Sequence, residues 1–163
     1  MKVIIIFFFL LSNLLANEIT GVPKIIDGDT IHIDGYKIRL EGIDAPEIKQ
    51  QCKKASLKIL SNIGLIFYKD YNCGIVSKEK LVEKIGRATI KCISSSKDRY
   101  KRYIATCFKN KTNLNQWLVR NGHAIAYRRY SKKYVTDEDL AKDNKLGLWK
   151  GKFMNPEKWR KLN

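Results

Sequence analysis

Apolar and polar residues alternate in two short runs, Thr30 to Ile33 and Tyr36 to Leu40, with Asp34-Gly35 between them. A period of two buries one face of a strand, and a two-residue Asp-Gly break is the chemistry of a tight turn, so the pattern predicts a β-hairpin. Just upstream, Lys24 to Ile33 mixes strand-favouring residues with an Asp-Gly-Asp turn. Downstream, Gly42 and Pro46 make Glu41 to Glu47 an irregular loop. The stretch Cys52 to Asn72 is ambiguous: Ala55 to Leu60 suits a short helix, whereas Gly64, the aromatics and Asn72 suit a looped excursion, and it is read as an insertion. Ser77 to Ile85, with Leu81, Val82 and Ile85 at helical spacing, predicts an amphipathic helix ended by Gly86. Arg87 to Cys92 and Tyr103 to Phe108 read as strands around a turn at Asp98 to Arg102. Asn113 can cap a helix with Leu114, Trp117 and Leu118 on one face and Gly122 at its end. Thr136 with Asp139 has the spacing of a capping box opening a final helix, which Gly147 terminates.

The first sixteen residues differ in character from the rest. Lys2 precedes an apolar run from Val3 to Leu11, followed by Ser12, Asn13, Leu14, Leu15 and the small Ala16. This is the pattern of a secretory signal peptide cleaved after Ala16, with an uncleaved anchor or a buried strand as the rival readings. The run is shorter than the roughly 20 residues of an ordinary membrane-spanning helix. Residues 17–163 then form one domain, since a chain of this length closes one core. Four cysteines follow the leader, Cys52, Cys73, Cys92 and Cys107, an even number in a chain addressed to an oxidising compartment. Three pairings are possible in principle. Cys92 and Cys107 flank a predicted hairpin turn, which favours pairing them and leaves Cys52 with Cys73. Zinc is disfavoured, because there is no C-x-x-C and the only histidines are His32 and His123.

Charge then narrows the partner. The chain carries 32 Lys+Arg against 16 Asp+Glu, a net +16 that falls by one when Lys2 leaves with the leader. Such a surface attracts polyanions, nucleic acid or anionic lipid, without saying what is done to them. Strands first and helices interspersed and last suit a small α+β fold, and composition alone does not choose among such folds.

The ordered motifs do choose. Ile26-Asp27-Gly28-Asp29-Thr30-Ile31, Arg39-Leu40, Gly42-Ile43-Asp44-Ala45-Pro46-Glu47 and Asp98-Arg99-Tyr100-Lys101-Arg102 stand in the order and approximate spacing of staphylococcal nuclease-like proteins. The likeness continues through Leu114-Asn115, Leu118 to Gly122, Ala126 to Tyr130 and Gly147-Leu148-Trp149, ending near Pro156 and Trp159. The chain therefore resembles that thermonuclease family over nearly its whole length past the leader. The resemblance implies a five-stranded OB barrel with about three helices packed against it. It also implies calcium, held by the carboxylates of Asp29 and Asp44 and the carbonyl of Ala45, with Asp27 and Thr30 supporting the ligands from behind. Calcium is a hard ion suited to such an oxygen set. Glu47 matches the glutamate that orients or deprotonates the attacking water. Arg39 and Arg102 match the phosphate-facing arginines, whose planar fork meets two phosphate oxygens at once. Tyr127 and Arg129 match the substrate wall, where Tyr130 also stands.

Each piece alone has an ordinary reading. Asp-Gly-Asp is a common turn, Arg39 a common surface cation, and Trp117, Trp149 and the tyrosines are common core residues. His32 reads as a strand-surface residue and His123 as packing after a helix end, so histidine-driven cleavage is disfavoured. The main departure from the family is Lys101, which stands where a glycine shapes the turn before Arg102. Lysine tolerates positive φ poorly, so either the turn changes conformation or Arg102 shifts. The expectation is an exported, periplasmic or extracellular, calcium-dependent endonuclease acting on DNA and RNA and leaving 3′-phosphate ends. A monomer is the default, with membrane contact only if the leader stays. The alternatives are a non-catalytic OB-fold nucleic-acid-binding module and a protein that uses its charge on lipid.

Overall fold

A computed structural model describes residues 17–60 and 65–163. The leader and its cleavage point lie outside the described residues, as does Gly64. Among the described residues no helix is long and apolar enough to cross a membrane.

The larger sheet is built from β1 (Asn17–Gly21), β2 (Lys24–Ile25), β3 (Thr30–Ile33), β4 (Tyr36–Leu40), β8 (Ile90–Lys97) and β9 (Tyr103–Lys109), in the order β1-β8-β9-β4-β3-β2, with the short β10 (Thr112–Asn113) paired to β9. The β3–β4 hairpin forms as its pattern predicts. Asp34 and Gly35 take φ of 46° and 83°, the double positive turn that an Asp-Gly pair permits. Its inward residues Ile31, Ile33, Ile38 and Leu40 are almost wholly buried. A parallel pairing, β4 against β9 with Arg39 opposite Ile104, brings the hairpin beside the strand that follows the Asp98–Arg102 turn. Cys92 and Cys107 are cross-strand partners in β8 and β9, and the disulfide between them joins two residues already in register.

The described residues form four helices, one more than the sequence suggests. The first, α1 (Cys73–Ile85), starts four residues before the predicted Ser77 and buries Ser77, Leu81 and Ile85, while Val82 faces outward at 45% exposure. In α2 (Leu114–Arg120), Asn113 caps as expected, its side-chain oxygen accepting from the Gln116 N–H at 3.1 Å. The next, α3 (Val135–Asp143), has Tyr134 at its cap position and no side-chain cap, so the Thr136–Asp139 capping box does not form; Thr136 already lies inside the helix. Last comes α4 (Pro156–Leu162), capped by Asn155 and opened by Pro156, a proline at the position where its missing N–H costs nothing. A 3-10 turn at Gly147–Lys150 separates the last two helices.

The stretch Cys52 to Asn72 is neither helix nor loop. It forms an antiparallel hairpin, β6 (Gln51–Leu60) against β7 (Leu65–Asn72), whose register shifts twice, and β12 (Gly151–Lys152) adds a third strand on β6. The helix-like apolar spacing at Ala55 to Leu60 loses to pairing with β7. The insertion is nonetheless closed by a disulfide, Cys52 to Cys73, which ties the start of β6 to the start of α1. One core lies between the larger sheet and the helices; a smaller cluster of Cys52, Cys73, Ile125 and Leu148 joins the hairpin to it. Trp117 packs against the first and Trp149 against the second, as core residues rather than ligands. The fold is an OB-fold with a curled sheet and flanking helices.

Candidate active site

Three segments meet at one edge of the curled sheet. The Asp27–Asp29 turn precedes β3, β5 (Ile43–Asp44) pairs with β11 (Ile125–Ala126), and the Ala45–Gln50 loop follows β5. Their approach is set by two glycines. A Cβ on Gly28 would lie 2.2 Å from Ser77 Oγ and 2.6 Å from Ala45 Cβ, and a Cβ on Gly74 would lie 1.8 Å from the Glu47 carbonyl oxygen. Only glycine allows α1 to press the turn and the loop together at these distances. Gln50, fully buried, fixes the loop further: its side-chain carbonyl accepts from Glu47 N–H at 3.3 Å, and its amide donates to the Met154 carbonyl at 2.7 Å.

Asp29 and Asp44 are buried where these segments meet, 2% and 0% exposed. Asp29 is held on all sides: its N–H donates to Asp27 at 2.9 Å, one carboxylate oxygen accepts from Thr30 Oγ1 at 3.2 Å, and the other accepts from Ala45 N–H at 2.8 Å. Asp27 and Thr30 are thus both hydrogen-bonded to Asp29, and both also line the cleft described below. The Arg39 guanidinium bridges the two aspartates, donating through Nη1 to Asp29 and through Nη2 to Asp44 at 3.0 Å. Burial pushes the Asp27 carboxyl up to about 6, and the adjacent Asp29 charge adds to the shift. Burial likewise raises Asp44, Arg160 pulls it back, and Asp29 raises it again. Burial opposes the Arg39 charge, but Asp29 and Asp44 outweigh it and hold the guanidinium above its ordinary range.

Arg160, on α4, is a residue the sequence reading missed. Its Nη1 donates to Asp44 and to Glu47, both at 2.9 Å, and its Nη2 donates to the second Asp44 oxygen at 3.1 Å. No local pattern marks it, because it reaches across more than a hundred residues of sequence from a helix that itself went unpredicted.

Arg39 also faces a cleft of about 1220 Å³ whose wall includes Glu47, Arg102, Tyr127, Arg129 and Arg160. The Asp98–Arg102 turn supplies Arg102. Lys101 adopts φ of 63°, so the left-handed turn survives the absence of glycine. The Asp98 carboxylate holds it, accepting from Tyr100 N–H at 2.9 Å, Arg102 N–H at 3.0 Å and Arg102 Nε at 2.7 Å. On the opposite wall Tyr127 stacks edge-on with Tyr130 at 4.8 Å, and Arg129 pairs with Glu157 at 2.9 Å. Tyr100, 62% exposed and lying under the Arg99 and Arg102 guanidiniums, is a second aromatic surface that the sequence reading passed over. His32 is half-buried in β3, and His123 packs on Trp117 at 5.4 Å. Neither is among the residues lining the cleft.

Among the described residues, no three His, Cys, Asp or Glu side chains converge as a ready-made metal cluster. The oxygens present still fit a hard divalent ion. Two buried carboxylates lie within the span of one guanidinium, and Glu47 is joined to them through Arg160. Anionic oxygens that already gather around cations are the donor set such an ion takes.

Buried carboxylates, forked arginines and exposed tyrosines around one open basic cleft define a protein built to handle phosphate esters of a polyanion. Residues 37–151 match the family described as staphylococcal nuclease homologue. Its relatives include the succinoglycan biosynthesis protein ExoI of Rhizobium meliloti (33% identical over 138 residues, 83% of this chain and 66% of that protein). An uncharacterized endonuclease of Haemophilus influenzae is 31% identical over 148 residues, 86% of this chain and 71% of that protein. The probable staphylococcal-like nuclease CAN4 of Oryza sativa is 29% identical over 151 residues, 90% of this chain but 26% of that protein. The chain belongs to the staphylococcal nuclease homologue family. Asp27, Asp29 and the whole of α4 lie outside the matched span.

Proposed function

We propose that the chain is an exported, calcium-dependent endonuclease that cleaves DNA and RNA and leaves 3′-phosphate ends. The observation that carries this reading is the bridging of the buried Asp29 and Asp44 by Arg39, which lines a cleft together with Glu47, Arg102 and Tyr127. The endonuclease and staphylococcal-like nuclease names of two relatives point the same way.

Cleavage of a phosphodiester needs charge neutralised at phosphorus, a placed water, and support for the leaving oxygen. Asp29, Asp44 and the Ala45 carbonyl would hold the calcium, which when bound supplies positive charge to the phosphate. Glu47 stands at the loop edge, 32% exposed on its side chain, where it can accept a hydrogen bond from water. Its place on the wall of the cleft suits it to orient that water toward a bound phosphate. Arg39, on β4, and Arg102, in the turn that leads into the adjacent β9, both line the cleft and present forks that suit phosphate oxygens. Tyr127, with its neighbour Tyr130, offers a face for a base, and stacking of that kind tolerates any base. Two disulfides and the signal-like leader support export.

A digestion assay on single-stranded and duplex DNA and on RNA, with calcium and with chelator, tests the reading. Cleavage in calcium alone, with 3′-phosphate termini, is the expected result. Nucleic acid bound but uncut in calcium would instead make the domain a binding module.

A further inference from the structure

Arg160 takes up the very oxygens that the proposed calcium site requires. Its guanidinium covers both oxygens of Asp44 and reaches Glu47, in three hydrogen bonds between 2.9 and 3.1 Å. The carboxylate of Asp44 is wholly buried, so this pair is not a screened surface contact. Nor is α4 a loose tail. Pro156 is buried, Asn155 caps the helix, and the segment before it is tied to the Glu47 loop by Gln50 through the Met154 carbonyl at 2.7 Å. The same loop that carries Glu47 therefore fixes the helix that carries Arg160.

A cation that takes Asp44 competes with Arg160, whose fork donates to both of its oxygens. On losing those bonds, the guanidinium stays tethered to the cleft wall, where Lys161 of the same helix also stands. Phosphate oxygens in that cleft are the partners its fork suits. We propose that Arg160 is a third phosphate-binding arginine, held in reserve on Asp44 and Glu47 and released to a substrate phosphate when a divalent cation claims Asp44. The proposal rests on the calcium reading above. It predicts effects of opposite sign from one substitution: Arg160 competes with the cation and assists the polyanion.

The test measures calcium affinity by titration calorimetry and the affinity for a non-hydrolysable phosphorothioate oligonucleotide in calcium, for the full chain and for Arg160→Gln. Removing the competing fork should tighten calcium binding roughly tenfold and weaken the oligonucleotide roughly tenfold. Lys158→Gln, which removes the same unit charge from an exposed position on α4, separates these effects from general electrostatics and should change calcium affinity less than twofold. Arg160→Lys keeps the charge without the fork; it should fall between wild type and Gln in both affinities, and it stands in if the Gln variant does not fold. Weaker or unchanged calcium binding by the folded Arg160 variants overturns the proposal alone. No calcium binding by any of the proteins, wild type included, overturns the calcium reading and the proposal with it.

Discussion

Lys101→Gly isolates the strain stored in the turn before Arg102. Lys101 holds φ of 63° with its side chain exposed, so the substitution removes no packing. An L-residue in the left-handed region costs about 1–2 kcal/mol, and glycine removes that cost. Glycine also has more freedom to lose on folding, about 0.5–1 kcal/mol. The difference is a net stabilisation of about 0.5–1 kcal/mol, or roughly 2 °C in Tm for a domain of this size. Lys101→Ala is the matched comparison, since it trims the side chain and keeps the Cβ, and it should leave stability unchanged. Turnover should stay within about twofold for Lys101→Gly, because Asp98 rather than residue 101 positions Arg102: its carboxylate holds both the backbone N–H and Nε of Arg102. Chemical unfolding of the three proteins, with digestion rates in calcium, makes the measurement. A glycine variant less stable than wild type, or an alanine variant as stabilised as the glycine one, would refute the strain argument. A rate change near a hundredfold, the scale of a misplacement on the order of 1 Å, would refute the role given to Asp98.

The other expectations concern the wall of the cleft and the pH response. Glu47→Gln should retain oligonucleotide binding and lose about 10²-fold or more in turnover; near-normal turnover removes Glu47 from the chemistry. Arg102→Lys keeps the charge but loses the fork, and a turnover equal to wild type would exclude a two-point contact with phosphate. His123 sets a stability step. Burial and then the Lys80 charge lower it from 6.5 to about 4, so the unfolded chain binds the proton more tightly than the folded one. Its contribution is complete above pH 6.5 and is lost as pH falls toward about 4, with a ceiling of about 3 kcal/mol that partial exposure reduces. Unfolding curves across that window should show the loss in wild type and a flatter profile in His123→Gln; parallel profiles would count against it.

What the sequence made legible was local or carried by ordered motifs. The Asp34-Gly35 hairpin, the Asn113 cap and the pairing of Cys92 with Cys107 depend on neighbours or on one turn, and each reads directly from residue type. The β6–β7 hairpin was illegible because its apolar residues fit two periods at once, and only pairing across the sheet decides between them. Thr136 has the right spacing for a capping box, yet the cap position falls two residues earlier, at Tyr134, and the helix starts at Val135. In the site, Asp27, Asp29, Thr30, Arg39, Asp44 and Glu47 fall within 21 residues and arrive as three ordered motifs, which is why they could be named. Arg160 joins them from the far end of the chain, and Tyr100 was hidden inside a motif noted for its arginine. Lys101 shows a different limit. Residue type argued against the left-handed turn, and the Asp98 carboxylate, with its bonds to Tyr100 and Arg102, maintains it.

The carboxylates Asp29, Asp44, Glu47 and Asp98 are each paired with an arginine of the site. Asp29 is bonded to Arg39, Asp44 to Arg39 and Arg160, Glu47 to Arg160, and Asp98 to Arg102. A divalent cation arriving alone at Asp29 and Asp44 would leave two guanidiniums without partners in a partly buried place, and a phosphate chain arriving alone would leave buried carboxylates bare. Breaking one side of a buried pair costs about 3–5 kcal/mol, far more than the net worth of an intact pair. When both arrive, the cation takes the carboxylates, the phosphates take the arginines, and every charge is paired again. Cation and nucleic acid should therefore bind with positive coupling, and linkage requires that each raise the affinity for the other by the same factor. Calcium titrations with and without a phosphorothioate oligonucleotide measure that factor directly, and a few kcal/mol of avoided penalty corresponds to roughly a hundredfold. Equal calcium affinity in the two titrations would mean that the arginines keep their carboxylates while substrate is bound, and the exchange would then have no part in the site.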